Sequence, residues 1–180
     1  MLRKRAGRFV TICETELLRK RGVTEVTCDT SFTHFVIPLH GSGVKVAQEQ
    51  VRIVCALSEA NIKLMLVKFH PHALHFTVRS AEQSEALKVL KSLRLKREPK
   101  MTGNCCLIAV VSSAMRDLPG VMSRIAEAAL RLSVDVLEIS DTKSAVLLLV
   151  GEAKAELFKN ALCQAFGIKP SKRTGHSSAM

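Results

Sequence analysis

The segment Val110–Val121 has the residue types and spacing best suited to binding a small anion. An apolar strand end leads through small residues to Pro119 and Gly120, a pair typical of the start of a helix. The backbone N–H groups of a first helical turn have no partner within the helix, and the helix dipole adds positive charge there. We therefore expect this turn to be suited to a carboxylate. An ordinary strand-to-helix loop is the alternative that spacing alone leaves open.

Other residues capable of chemistry point less clearly to a site. His70, His72 and His75 are close enough to ligate a metal, but with no acidic or thiol companion nearby a polar hairpin turn is favoured. Gly41-Ser42-Gly43 lacks the third glycine of a dinucleotide-binding loop. Cys105 and Cys106 point to opposite strand faces, so they cannot chelate together, and one is expected to be a buried thiol. Because no nucleophile, base and orienting group can be placed together, we predict no catalytic residue, metal or cofactor, and no enzyme.

Hydrophobic periodicity predicts the elements that position these residues. In the first half the predictions are strands at 23–27 and 32–39 around a turn at 29–31, a helix at 46–57, strands at 62–69 and 74–78, and a helix at 81–93 with Ser80 as its N-cap. In the second half they are strands at 105–111, 134–139 and 145–150, and helices at 119–132 and 152–166.

The same order of elements therefore occurs twice. Asn61 and Asp135 occupy equivalent positions, as do Ala73 and Ala145, so the period is about 73 residues. Each strand–helix–strand crossover predicts a ferredoxin-like arrangement, with Leu93–Lys96 and Gly167–Lys169 as candidate final strands. The predicted fold class is α+β: two tandem ferredoxin-like βαββαβ domains, with antiparallel sheets and helices on one face. We expect domains at 22–98 and 99–168, a basic N-terminal extension at 1–21 and a disordered basic tail at 169–180.

Charge and composition restrict the class of protein. Twenty-seven basic and 16 acidic residues give a net charge of +11, concentrated in 1–21, 91–100 and 169–180. Solvated tails and a solvated linker are favoured over nucleic-acid binding. No apolar run approaches the ~18 residues of a membrane helix. Six cysteines without a CxxC pair suggest reduced thiols, so we expect a cytoplasmic protein that does not bind membranes.

With these residues in view, Val110–Val121 followed by Ser133–Lys143 resembles the second ACT domain of an aspartokinase regulatory region. That family reads V-G-A-G-M, a polar pair and P-G-V, and after its helix N-I-E-M-I-S-T-S-E. The first half is similar more loosely, at Val23–Thr27, Phe35–Ile37 and Glu59–Ile62. The resemblance covers about residues 22–168 and leaves no room for a kinase domain.

This resemblance implies a non-catalytic module for allosteric regulation. Paired ACT domains of the family bind feedback amino acids, lysine or threonine, at domain interfaces and associate edge to edge. The implied partners are a small amino acid, a second copy in a homodimer, and a kinase or other ACT-containing chain. We expect Asp117 to meet the ammonium of the amino acid and Asn61 to face it from the other domain. The predicted ligand-binding residues are Ser113, Ala114, Met115, Arg116, Asp117, Leu118, Pro119, Gly120, Val121, Asn61, Ile62, Asp135 and Val136.

Departures from the family pattern keep alternatives open. Ser112 and Ala114 replace the two glycines of V-G-A-G-M, and Asp135 replaces an asparagine that faces the ligand. A carboxylate at position 135 would repel the carboxylate of an amino acid. The alternatives are a structural or oligomerisation subunit without its own ligand and, with less support, a basic protein associated with nucleic acid.

Overall fold

The computed structural model describes residues 22–41, 43–113 and 115–169. Its strands are β1 (Val23–Pro38), β2 (Met65–His70), β3 (Ala73–Arg79), β4 (Lys100–Ser112), β5 (Val136–Asp141) and β6 (Ala145–Gly151). Its α-helices are α1 (Val44–Glu59), α2 (Gln83–Ser92), α3 (Val121–Leu132) and α4 (Glu152–Ala165). The predicted N-terminal extension and all but the first residue of the predicted tail lie outside the described residues.

The six strands form one sheet in the order β2-β3-β1-β4-β6-β5, with every neighbouring pair antiparallel. The predicted α+β class and the repeated strand–helix–strand–strand–helix order are confirmed. The sheets of the two halves are continuous, because β1 of the first half pairs with β4 of the second.

Each half forms a unit of four strands. One strand of each unit is a segment of a long strand, β1 or β4, whose other segment belongs to the other half. Residues 32–38 of β1 pair with β3, whereas residues 23–29 pair with the second half of β4. The first residues of β4 lie against the end of β1 and form the fourth strand of the first half. The predicted final strands at Leu93–Lys96 and Gly167–Lys169 were wrong: both segments are turns and irregular chain that follow a helix.

Two local predictions in the first half were also wrong. The strand β1 runs through residues 29–31 without a turn, and only its register shifts between Asp29 and Phe32, where Ser31 has a φ of 71°. Pairing with β4 overrides the local turn preference of these residues. Ser80 lies in a short 3₁₀ turn (Ser80–Glu82) rather than capping the helix, and its hydroxyl lies 3.4 Å from the hydroxyl of Thr33.

Two apolar cores lie between the sheet and the helices, one in each half. Phe35 and Phe76 stack in the first core, beneath α1 and α2, with ring centroids 5.1 Å apart. Ile108 and Phe158 are fully buried in the second core, beneath α3 and α4. A large apolar side chain that is fully buried contributes about 1.5–3 kcal/mol, so these layers dominate the stability of the fold.

The face of the sheet without helices closes on itself. A smaller cluster there contains Phe32, Cys105 and Leu149, all fully buried although no helix of the described segments covers them. The edge strands β2 and β5 meet across this face: the ammonium of Lys68 lies 3.0 Å from the Glu138 carboxylate and donates to the carbonyl of Ile139. The sheet is therefore coiled so that its helix-free face points inward.

Two of the cysteines differ from the expectation of reduced thiols. Cys28 on β1 and Cys106 on β4 form a disulfide, with Cα atoms 6.5 Å apart. Cys105 is a buried thiol, as predicted for one of the adjacent pair. No helix of the described residues is long and apolar enough to cross a membrane.

Candidate functional site

The predicted anion-binding turn opens α3. After β4 ends at Ser112, the chain makes a 3₁₀ turn (Met115–Asp117) and reaches Gly120, which has a φ of 77° and precedes the helix. Within the described part of the chain no side chain caps this helix start, and its first turn contains no acidic residue. The N–H groups and the positive end of the helix dipole are therefore not offset by a local carboxylate.

A cleft of about 360 Å³ lies beside this helix start. Most of its wall is apolar, and its polar side chains are Ser123 at the first turn of α3 and Asp141 and Thr142 at the end of β5. The Thr142 hydroxyl accepts hydrogen bonds from the backbone N–H groups of Ser144 and Ala145, which fixes the turn after β5. The volume lies within the range of small-ligand pockets.

The charges around the cleft suit a zwitterion. The N-terminus of α3 is positive, while the exposed carboxylate of Asp141 lies on the strand that forms the opposite wall. An α-amino acid carries a carboxylate and an ammonium group on the same α carbon. It can therefore contact the N-terminus of α3 and the carboxylate of Asp141 at once. The cleft therefore combines the positive end of a helix with one carboxylate.

The structure places part of the predicted ligand set at this cleft. Met115, Leu118, Gly120 and Val121 line it. Ser113, Asp117 and Pro119 are exposed in the same loop but do not line it. Ala114 and the side chain of Arg116 lie outside the described part of the chain. Sequence reasoning missed Asp141, although its position at a strand end facing a helix start could have indicated it.

The other predicted ligand residues lie elsewhere in the chain. The strand β5 runs parallel to β4, since both are antiparallel to β6, so Asp135 and Val136 lie at the end of β5 opposite the cleft. Six residues of strand separate the two ends by roughly 17 Å. Asn61 takes the left-handed conformation (φ 56°) that follows the end of α1, and Ile62 is buried in the first core. Asp135 and Val136 therefore do not share this cleft within one chain.

A second cleft of about 780 Å³ lies on another side of the same helix start. Its lining includes Arg124 on α3 and Phe166 after α4, and the guanidinium lies 5.8 Å from the centre of the phenylalanine ring. The cleft also adjoins Gly22 and Lys169, the two ends of the described chain. Its cations, Arg124 and Lys169, suit an anion, but no carboxylate of the described residues lines it to receive an ammonium group.

A buried polar cluster lies on the helix-free face, where the sequence predicted nothing. His34 on β1, His75 on β3 and Glu138 on β5 converge there, with His34 and Glu138 only 4% and 6% exposed. Nδ1 of His75 lies 2.5 Å from Oε1 of Glu138 and Nε2 of His34 lies 3.2 Å from the same oxygen. Lys68 pairs with the other carboxylate oxygen. His75 and Glu138 each lie between two apolar residues of their strand, but nothing near either of them in the sequence identifies its partner.

The cluster shifts the ionisation of its members. Burial lowers the pKa of His34 below 6.5, and the negative charge of Glu138 opposes this only in part. Burial alone would raise the pKa of Glu138, but hydrogen bonds from His75 and Lys68 outweigh it and hold this pKa below its ordinary value. Near neutral pH the cluster therefore combines an ionised carboxylate with a neutral imidazole at His34.

Comparison with known proteins agrees with the fold. No family model matches the chain. Aspartokinase 1 of Bacillus subtilis is 25% identical over 149 residues, which cover 82% of this chain. The chain spans only 35% of the length of that relative.

Solved structures similar to this chain show which part of aspartokinase the chain matches. The regulatory subunit of aspartate kinase from Thermus thermophilus, in its ligand-free form, superposes with a TM-score of 0.73 at 19% identity, over 81% of this chain and 98% of that subunit. Escherichia coli aspartokinase III in complex with lysine and aspartate superposes with a TM-score of 0.61 at 15% identity, over 80% of this chain and 33% of the enzyme. The chain thus has the fold of an aspartokinase regulatory region, the tandem ACT fold, and not that of the kinase domain.

Proposed function

We propose that the chain is a non-catalytic regulatory module that binds a small amino acid, lysine or threonine, in the cleft at the start of α3. The observation that carries the proposal is the uncapped N-terminus of α3 facing Asp141 across a cleft of about 360 Å³. The ligand carboxylate lies at the N–H groups of the first turn and its ammonium at Asp141. The aspartokinase III structure that this chain resembles was solved with lysine bound.

Calorimetric titration of the full chain with lysine, threonine and a panel of other amino acids tests this assignment. Asp141→Asn removes the charge that meets the ammonium, so we expect affinity to fall about 10- to 100-fold, as for a hydrogen bond to a charged group. Asp135→Asn is the matched control, because Asp135 has the same charge at the far end of β5, and it should leave affinity unchanged. If Asp135→Asn alters affinity more than Asp141→Asn does, the ligand binds elsewhere.

Assembly is the second candidate function, and exposed apolar side chains favour it. Leu130 on α3 is 82% exposed and Leu157 on α4 is 56% exposed, on two helices that pack against each other. Apolar side chains of this size on neighbouring helices are suited to contact with another chain. If the chain functions in assembly, its partner is a second copy or another ACT-containing chain, including a kinase. If no amino acid binds and sedimentation equilibrium shows a dimer that Leu130→Lys dissociates, the structural-subunit function replaces the ligand-binding one.

A further inference from the structure

The three side chains of the buried polar cluster come from strands that are far apart in sequence. His34 lies on β1 and His75 on the adjacent β3, while Glu138 reaches them from β5 at the other edge of the coiled sheet. Their ligand-capable atoms all lie within 4.8 Å of one another. Neighbouring donors of a tetrahedral zinc ion lie about 3.3 Å apart, given bonds of about 2.0–2.1 Å. Small rotations of the side chains would therefore bring all three atoms to one ion.

One buried atom of this cluster makes no hydrogen bond of good geometry with the described residues. It is Nε2 of His34, which lies 3.2 Å from Oε1 of Glu138 and belongs to a side chain that is 5% exposed. A buried nitrogen without such a bond is rare in a folded protein, so this atom has a lone pair available for a further partner. A metal ion would accept the lone pair of this nitrogen.

The donor set selects the class of metal. Two imidazoles and one carboxylate suit zinc and similar divalent transition metals, whereas calcium and magnesium prefer oxygen donors alone. His70 is suited to the fourth position, because its ring lies 4.4 Å from that of His75 and its side chain is exposed. A water molecule would fill that position equally well.

Lys68 is the competitor for the same carboxylate. Its ammonium lies 3.0 Å from Oε2 of Glu138, but its side chain is 29% exposed and flexible enough to turn towards solvent. A divalent ion replaces one positive charge by two, so it compensates Glu138 more strongly than the lysine does. Removing the ammonium should therefore favour the metal.

We propose that His34, His75 and Glu138 form a site for a zinc-class divalent metal that fastens β5 of the second half to β1 and β3 of the first. The site is separate from the cleft at the start of α3, and it differs from the His70–His72–His75 set considered from the sequence. Metal binding would hold the coiled sheet closed.

The test is titration of the full chain, freed of metal by a chelator, with Zn²⁺ against a chromophoric competitor, together with the visible spectrum of bound Co²⁺. We expect one ion per chain and a tetrahedral Co²⁺ spectrum. His34→Ala and His75→Gln should each weaken binding at least 100-fold, with circular dichroism confirming the fold, and Lys68→Met should tighten binding about tenfold. His72→Ala is the control, because His72 is exposed at the hairpin turn, and it should not change affinity.

Two outcomes would overturn the site. The first is that Zn²⁺ binds neither the parent chain nor the Lys68→Met variant. The second is binding that His72→Ala weakens as much as His75→Gln, since the ion would then sit on the exposed hairpin. Neither outcome bears on amino-acid binding at α3, so the two proposals fail independently.

Discussion

Glu138 is the single carboxylate on which the polar cluster depends. It pairs with Lys68 and His75, and its side chain is only 5% exposed. Glu138→Leu removes the carboxylate partner of His75 and leaves Lys68 with only the carbonyl of Ile139, so we expect the free energy of unfolding to fall by about 1–3 kcal/mol. Urea denaturation in the presence of a chelator measures this.

An exposed ion pair supplies the control for this measurement. Glu85 is paired with Lys88 on α2, but both side chains are more than half exposed. Glu85→Leu should change stability by no more than about 0.5 kcal/mol. Equal effects of the two substitutions would show that the inner cluster does not stabilise the fold.

The thiols provide a second prediction at the residue scale. Burial raises the pKa of Cys105 and that of Cys163, so the reactive thiolate is disfavoured in both, whereas Cys55 is exposed. At pH 8 iodoacetamide should alkylate Cys55 rapidly and leave Cys105 and Cys163 unmodified until urea unfolds the chain. Peptide mass mapping over time measures this, and native labelling of Cys105 at the rate of Cys55 would contradict the buried placement.

The sequence limits what could be predicted about single residues. Pro119 and Gly120 indicated the start of α3 because helix termini have local signals. The cluster of His34, His75 and Glu138 has no local signal, since His75 and Glu138 are 63 positions apart and meet only when the sheet coils. A polar residue in an apolar strand shows that something is paired, but not with which partner.

At the scale of elements, Gly120 governs how α3 begins. Its φ of 77° is unfavourable for residues with a Cβ, yet a Cβ there would meet no atom within 4 Å. Gly120→Ala should therefore cost about 1–2 kcal/mol from backbone strain alone, which thermal unfolding would measure.

Gly151 is the matched control for that substitution. A Cβ there also has open space, but its φ of −65° suits any residue. Gly151→Ala should be neutral or stabilise the fold by about 0.4–1 kcal/mol. A loss of stability at both positions would show that contacts rather than backbone conformation decide the effect.

The strand β1 shows why element bounds were harder to predict than element types. Asp29, Thr30 and Ser31 are typical turn residues, and the local prediction of a turn followed from them. In the fold, β4 pairs with β1 on both sides of this segment, so the strand continues through a register shift. Long-range pairing overrode local preference.

At the scale of the whole molecule, the shared strands make the two halves interdependent. The core of the second half includes Val26, which lies on β1 and is 2% exposed. The division into domains at 22–98 and 99–168 is a prediction from the repeat, and a chain of residues 99–169 would lack this strand. Its β4 would then present an unpaired edge next to an incomplete core.

We therefore expect a fragment of residues 99–169 to show no cooperative unfolding transition, or to associate through the exposed edge of β4. Appending residues 22–31 through a flexible linker should restore a cooperative transition, because the added segment supplies the missing pairing and Val26. Appending the same segment with Val26→Asp is the control, since it keeps the length and removes the apolar contact. Circular dichroism melts and sedimentation velocity of the three chains measure this. A monomeric fragment 99–169 that unfolds cooperatively by itself would show that the second half is an independent domain. Residues 22–31 of β1 would then be dispensable for its folding.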